Sequence, residues 1–246
     1  MAKLIDFFPM LGTQTDWAAL DAAYPAWVQE MHATPQDAMF HSEGDVWTHT
    51  KMVVDALTSL PEWNQLDNTG RLVTWLGALL HDTGKPATTK FEGDRITSKG
   101  HSRRGAQDAR VWLWREGLPW HIREAVCAMV TSHQNPFYTV LKEDAEHMVR
   151  KWSQTVRLDW LSIVTKADGT GRFTTPPQLK QDALDNVELF EMLLREKNIY
   201  GLGSSYADNY TWQKYLNSPH SCDPDFSIHR PIQGSKVFVL SGLPGM

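Results

Sequence analysis

The apolar run Leu76-Gly77-Ala78-Leu79-Leu80 stops abruptly at His81-Asp82-Thr83-Gly84-Lys85. An imidazole and a carboxylate side by side at a helix terminus can converge on one metal ion, because the turn that follows frees the second side chain from the helix direction. A chain built on this stretch has to bury a helix and, at its end, hold a histidine, an acid and a lysine together.

Further histidines and an acid stand at comparable places: His49 in Glu43-Gly44-Asp45-Val46-Trp47-Thr48-His49-Thr50, His101 after Gly100, His133 after Thr131-Ser132, and Asp168 in Lys166-Ala167-Asp168-Gly169-Thr170-Gly171-Arg172. Hydrophobic spacing predicts helices over 15–32, 45–60, 71–82, 101–116, 121–132, 142–152, 155–167 and 178–196, with a short one near 207–216. His49 falls on the apolar stripe of its helix, with Val53, Ala56 and Leu60. His133 falls at the end of its helix, as His81 and Asp82 do. Residues 86–99 read as an irregular lid, and no alternating strand pattern occurs before residue 235, so the fold is expected to be all-α.

The order His, His-Asp, His, His, Asp resembles the HD metal-dependent phosphohydrolases over residues 40 to about 172. The wording HSEGDVWTHTKMVVDAL, LGALLHDTGKPATT and GHSRRGAQDA is most similar to the HD domain of bacterial CCA-adding tRNA nucleotidyltransferases, although their paired-aspartate nucleotidyltransferase motif is absent from this sequence. The resemblance implies an HD helical bundle in which His49, His81, Asp82 and Asp168 hold one metal, while Asp82 bridges to a second held by His101 and His133. Imidazole and carboxylate ligands without thiolates suit two divalent transition ions drawn from Mn, Fe, Co, Ni or Zn. Two such ions acidify water and clamp phosphoryl oxygens, so no protein nucleophile is needed.

The end of the chain carries a second resemblance. Lys236-Val237-Phe238-Val239-Leu240 reads as a buried strand, and Ser241-Gly242-Leu243-Pro244-Gly245-Met246 as the opening of a P-loop that stops before its lysine. An HD domain followed by such a segment resembles bacterial HD-domain/polynucleotide-kinase end-repair enzymes. The expected organisation is an N-terminal helical extension over 1–39, the HD domain over 40–200, a helical segment and linker over 201–235, and the truncated start of a covalently linked P-loop kinase domain over 236–246.

Bulk properties narrow the function. The net charge of −5 argues against broad binding along a nucleic-acid backbone and leaves a small anion or the end of a strand. Around the site the sign reverses, with Lys85, Lys90, Arg95, Lys99, Arg103 and Arg104 close in sequence. Among these, Lys85 and Arg104 are the candidates to neutralise the transferring phosphoryl group beside Asp82, with Arg103, Arg172 and Lys99 as further phosphate contacts. Thr83 and Ser102 are read as local caps, and His41, His121 and His147 as structural or exposed. Trp112, Trp114, Trp120 and Trp152 could stack a base, although core packing is the commoner fate of tryptophan.

Two distant cysteines, no signal-peptide pattern and no membrane-length apolar run point to a cytoplasmic protein that does not enter a membrane. The expected activity is removal of 2′/3′-phosphates and opening of 2′,3′-cyclic phosphates on RNA 3′ ends or nucleotides. The alternatives are a mononucleotide or dNTP phosphohydrolase and a regulatory module that binds a nucleotide without hydrolysing it.

Overall fold

The computed structural model describes residues 2–206 and 209–217. The stretch 236–246, with its expected strand and P-loop opening, lies outside the described residues. Met1–Gly203 forms one compact unit, and in the remainder the described residues carry one helix, α12 (Asn209–Asn217).

The described residues are overwhelmingly helical. The N-terminal helices are α1 (Trp17–Ala23) and α2 (Pro25–His32), where the sequence pattern predicts a single helix. The break has a direct cause: Pro25 has no N–H to give and its ring cannot follow a helical turn, but it suits the first position of a new helix. The apolar stripe runs on across the break, so periodicity alone does not show it. Asp16 caps α1 by accepting from the Ala19 N–H.

Four helices surround the site: α3 (Val46–Ser59), α4 (Asn68–Leu80), α7 (Trp120–Ser132) and α10 (Leu158–Thr170). Helix α4 packs against α3, α7 and α10, and α3 packs along α10. Helix α4 is therefore enclosed on several sides, which accounts for the unbroken burial of Val73 through Asp82. Asp45 and Asp67 fix the starts of α3 and α4 by accepting from the Thr48 and Gly70 N–H groups. Helix α6 (His101–Arg115) lies against α7, and α11 (Gln178–Glu196) covers α10. Of the shorter helices, α5 (Lys85–Thr88) and α8 (Pro136–Thr139) follow the turns at Asp82 and His133, and α9 (Ala145–Trp152) leads toward α10.

The lid region differs from its sequence reading. Residues 86–99 are not irregular: α5 is followed by a hairpin of β1 (Lys90–Glu92) and β2 (Arg95–Thr97), paired antiparallel with Phe91 opposite Ile96. Three-residue strands are too short to show alternation, and only the Gly93-Asp94 turn marks them in the sequence.

The N-terminal residues share the same core. Leu4, Leu20, Val28 and Met31 are buried in one cluster with Trp47, Trp75 and Leu79. Trp17, Trp27, Trp47 and Trp112 stack edge to face through that region.

Two glycines set the closest approaches. A Cβ on Gly84 would lie 2.2 Å from the His101 carbonyl oxygen and 2.5 Å from the Gly105 nitrogen, so only glycine lets the His81–Lys85 turn press against the start of α6. The backbone of Gly84 is right-handed, with φ of −83°, so the requirement is space rather than an unusual turn. A Cβ on Gly171 would meet the Val53 nitrogen at 2.6 Å, which draws the end of α10 onto α3.

Candidate metal centre

Each of the six side chains read as metal ligands sits where an element ends or crosses another. His49 is one turn into α3, Asp168 lies in the last turn of α10, His81 and Asp82 follow α4, His133 follows α7, and His101 opens α6. All six are buried. The two glycine contacts explain the convergence: Gly84 brings His101 to Asp82, and Gly171 brings Asp168 to His49.

Asp82 is the hinge of the arrangement. Its Oδ2 lies 3.2 Å from His81 Nε2 and 3.9 Å from His49 Nε2. Its Oδ1 lies 3.3 Å from His101 Nε2 and 3.8 Å from His133 Nε2. Asp168 completes the first group, with Oδ1 3.1 Å from His49 Nε2. Two ligand groups thus share one carboxylate: His49 and His81 with Asp82, and His101 and His133 with Asp82.

Whether these residues fit a metal is decided by their tautomers. His81, His101 and His133 each place Nδ1 against a main-chain carbonyl three residues back, at 2.6, 2.8 and 2.8 Å. A carbonyl only accepts, so Nδ1 carries the hydrogen and, in the neutral ring, Nε2 carries a lone pair. The His101 and His133 Nε2 atoms stand 3.4 Å apart and both approach Asp82 Oδ1. Three acceptors thus face one another. His81 Nε2 and Asp82 Oδ1 are buried without a hydrogen bond, and Lys85 alone meets Asp82 Oδ2. Such a cluster calls for a cation, and imidazole with carboxylate is a donor set for divalent transition ions.

The electrostatics agree. Burial alone would raise the Asp82 carboxyl, but His81, Lys85 and His101 outweigh it and hold the group well below its usual range. Asp168 behaves likewise, with Arg172 as its principal compensation. Burial opposes a charge on His81, yet Asp82 and Asp168 prevail and raise its pKa above the ordinary 6.5. His133 is pushed the other way, to about 3, by burial and then by the neighbouring His81 and His101. The His101 pKa is also lowered, mainly by burial.

Around the cluster stand partners of opposite charge. Lys85 is buried, with Nζ 2.7 Å from Asp82 Oδ2 and 2.6 Å from Gln36 Oε1. Arg172 donates to Asp168 Oδ1 at 2.6 Å and lies over the Phe137 ring. A cleft of about 310 Å³ opens beside the cluster, lined among others by Lys85, Lys99, His101, Gln134 and Arg172. Arg103 and Arg104 do not line it: both are exposed, and Arg104 is spent on Asp108 at 2.7 Å. Lys99 lines the cleft but pairs with Glu92. None of Trp112, Trp114, Trp120 and Trp152 lines it: Trp114 and Trp120 are exposed elsewhere, and Trp112 and Trp152 pack against the core.

Several residues at the site were not singled out by their sequence positions. Glu43 Oε1 lies 2.9 Å from Nδ1 of both His41 and His49. Burial would raise this carboxyl, but the two imidazoles and the Phe173 N–H hold it strongly down. His41 is not a surface histidine; its ring packs on His49 and borders the cleft. Burial and then Lys85 lower its pKa to about 3. Gln36 is held in place by the Pro35–Asp45 bridge and donates to the Asp45 carbonyl. Thr83 is more than a local cap, since its hydroxyl accepts from the Trp27 indole at 3.0 Å. The sequence signal for Glu43 was its place six residues before His49; that for Gln36 was only its position after Pro35.

Residues 46–169, half of the sequence, match the HD domain family, and the chain belongs to it. That membership places it among metal-dependent hydrolases. Similar curated proteins include the multifunctional CCA protein of Xanthomonas euvesicatoria pv. vesicatoria (strain 85-10), 29% identical over 167 residues. The multifunctional CCA protein of Xanthomonas campestris pv. campestris (strain B100) is 28% identical over the same length. These matches take in 66% of this chain and 38% of each relative, so the likeness spans well under half of the relatives' length. Among the described residues no helix is long and apolar enough to cross a membrane.

Proposed function

We propose that this chain hydrolyses phosphate monoesters and 2′,3′-cyclic phosphodiesters at RNA 3′ ends or on nucleotides, using two divalent ions that the cluster around Asp82 would hold. The observation that carries the reading is the division of Asp82, one oxygen toward His49 and His81 and the other toward His101 and His133. His49, His81, Asp82 and Asp168 would hold one ion and His101, His133 and Asp82 the other. The ions are drawn from Mn, Fe, Co, Ni and Zn, and when bound they supply an acidified water and neutralisation of the phosphoryl oxygens.

The protein's own groups do the rest. Lys85 lies at the junction of the cluster and the cleft, where it offsets the charge of Asp82 and donates toward a phosphoryl oxygen. Arg172 fixes Asp168 and extends the positive wall of the cleft. Glu43 and the three main-chain carbonyls hold the imidazoles in the tautomer that presents Nε2. Arg103 and Arg104 are left for the outer part of a polynucleotide, at the rim.

The choice of RNA ends rests on the likeness to CCA proteins. A second reading, a mononucleotide or dNTP phosphohydrolase, draws on the cleft's volume of about 310 Å³ and the net charge of −5, which together suit a small anion. The deciding experiment measures phosphate release and ring opening from uridine 2′- and 3′-phosphates, uridine 2′,3′-cyclic phosphate, dUTP and a 3′-phosphorylated oligoribonucleotide, with each divalent metal. Metal-dependent turnover that disappears in Asp82→Ala is expected. No turnover by a folded, metal-loaded protein refutes hydrolysis, and dUTP turnover far above the rest selects the second reading.

A further inference from the structure

The cleft beside the cluster has two kinds of lining. Lys85 and Arg172 are buried against the carboxylates of Asp82 and Asp168, and their charges suit a phosphate. The same cleft is also lined by Phe40, Ile96 and Tyr138, with polar groups such as Gln134 and Ser102 beside them. Among the described residues no tryptophan lines it, so Phe40 and Tyr138 supply the aromatic hydrocarbon faces.

Neither ring is there to fill the core. Tyr138 is 57% exposed, on the four-residue helix α8 whose other side chains, Pro136, Phe137 and Thr139, are buried. That helix follows His133 directly, and the Arg172 guanidinium lies 4.6 Å from the centre of the Phe137 ring while donating to Asp168. An aromatic ring on a backbone anchored in this way offers contact area at a small entropic cost. Phe40 is exposed as well and stands in a turn that Asp37 ties to the hairpin, accepting from the Ile96 N–H and pairing with Arg95. Ile96 is opposite Phe91 across the hairpin, so the two share one face, and Phe91 is 73% exposed. Apolar side chains from two separate parts of the chain thus converge on one cleft. The buried cations mark its inner part and the exposed rings its outer part.

A ligand suited to both parts carries a phosphate at one end and a flat, largely apolar ring at the other. A sugar phosphate lacks the ring, whereas a nucleotide has both, and a volume of about 310 Å³ suits one nucleotide. We infer that the outer cleft is a nucleobase site, in which Tyr138 and Phe40 stack the base of a substrate whose phosphate lies at the metal centre. The inference rests on the hydrolytic reading for that phosphate and adds the residues that recognise the rest of the molecule. Every base has a π-face, so the site takes purines and pyrimidines alike and discriminates against phosphates that carry no base.

The test compares uridine 3′-phosphate with 1-deoxyribofuranose 3-phosphate, the same sugar phosphate without a base, on wild-type protein, Tyr138→Ala, Tyr138→Phe and Phe40→Ala. Both rings lie outside the hydrophobic core, so truncating them removes no core packing. Wild type is expected to favour the uridine compound in kcat/KM by roughly 10- to 100-fold. The ratio is expected to fall at least about fivefold in Tyr138→Ala, to fall by less in Phe40→Ala, and to hold in Tyr138→Phe, which keeps the ring. A merely structural role would lower both substrates together and leave the ratio where it was. A wild-type ratio near one, or an undiminished ratio in either alanine variant, overturns the inference and leaves the hydrolase standing. A ratio lost equally in Tyr138→Phe also overturns it, since the hydroxyl and not the ring would then carry the preference.

Binding separates this inference from the hydrolytic reading. Calorimetric titration with the 3′-methylenephosphonate of uridine, whose carbon–phosphorus bond resists hydrolysis, and with its base-free counterpart is expected to show the same preference and the same loss in Tyr138→Ala. That preference without turnover of any substrate by any metal refutes hydrolysis and keeps the nucleobase site. Equal binding of the two phosphonates overturns the site, whatever the turnover.

Discussion

The buried cluster and the exposed rim contain the same kinds of residue and put them to different use. At the rim, cations are matched to nearby acids: Arg104 with Asp108, Lys99 with Glu92 and Arg95 with Asp37, all substantially exposed on the cation side. Such pairs are screened by water and salt, and each contributes little. In the cluster, acids and imidazoles outnumber the cations that face them, and water is excluded. Lys85 and Arg172 offset the charge of the two carboxylates there, but the imidazole lone pairs remain, and that surplus of acceptors is what a metal would satisfy. Six basic residues adjacent in sequence therefore do not form one functional group; burial separates Lys85 from the other five.

The comparison breaks most visibly at Lys85. Lys85→Met is expected to lower kcat/KM by on the order of 10²-fold, since it removes a buried charge from the edge of the reacting phosphate. Undiminished turnover would show that Lys85 serves only the fold. Next comes Glu43. With Glu43→Gln the imidazole of His49 loses its anionic partner, and metal affinity, read by calorimetric titration, should fall by ~10- to 100-fold.

A smaller and graded effect is expected from pH. His81 has its pKa raised above 6.5 in the metal-free protein and must shed its proton for Nε2 to bind a cation. The protonated form dominates below that pKa, so affinity should decline steadily as pH is lowered from about 8 to about 6, with proton release on binding at the low end. An affinity independent of pH over that range would contradict this assignment. The smallest effect belongs to the rim: Arg103→Ala and Arg104→Ala should each change turnover of a mononucleotide by less than about threefold. If either matches Lys85→Met, the contrast between rim and cluster is wrong.

What the sequence reveals follows the same division. The six residues read as ligands are legible through their order, His, His-Asp, His, His, Asp, which resembles the HD pattern, and the structure brings all six together. The helix over 178–196 is legible to the residue because its apolar face is long and Pro177 marks its start. The partners are another matter. Glu43, Gln36 and His41 lie in the turns before α3, where polar residues are ordinary, and only the three-dimensional contact with His49 and Lys85 gives them a role. The hairpin is too short for its pattern to show, and the break at Pro25 is masked by a stripe that continues through it. Gly84 could be noticed in the sequence, but as a turn former. That it makes room for the His101 carbonyl depends on a contact with another helix.

The pairing of His49 with Asp168 spans 119 residues of chain. An ion held there would act as a clasp, fastening the first helix of the cluster to the last. Folding would then have to bring distant segments together before the clasp could close, which makes closure a late event and release of the ion an early step in unfolding. Loading with metal should accordingly prolong the lifetime of the native state more than it speeds its formation, and a protease would find the seam between α3 and α10 only after the ion had left.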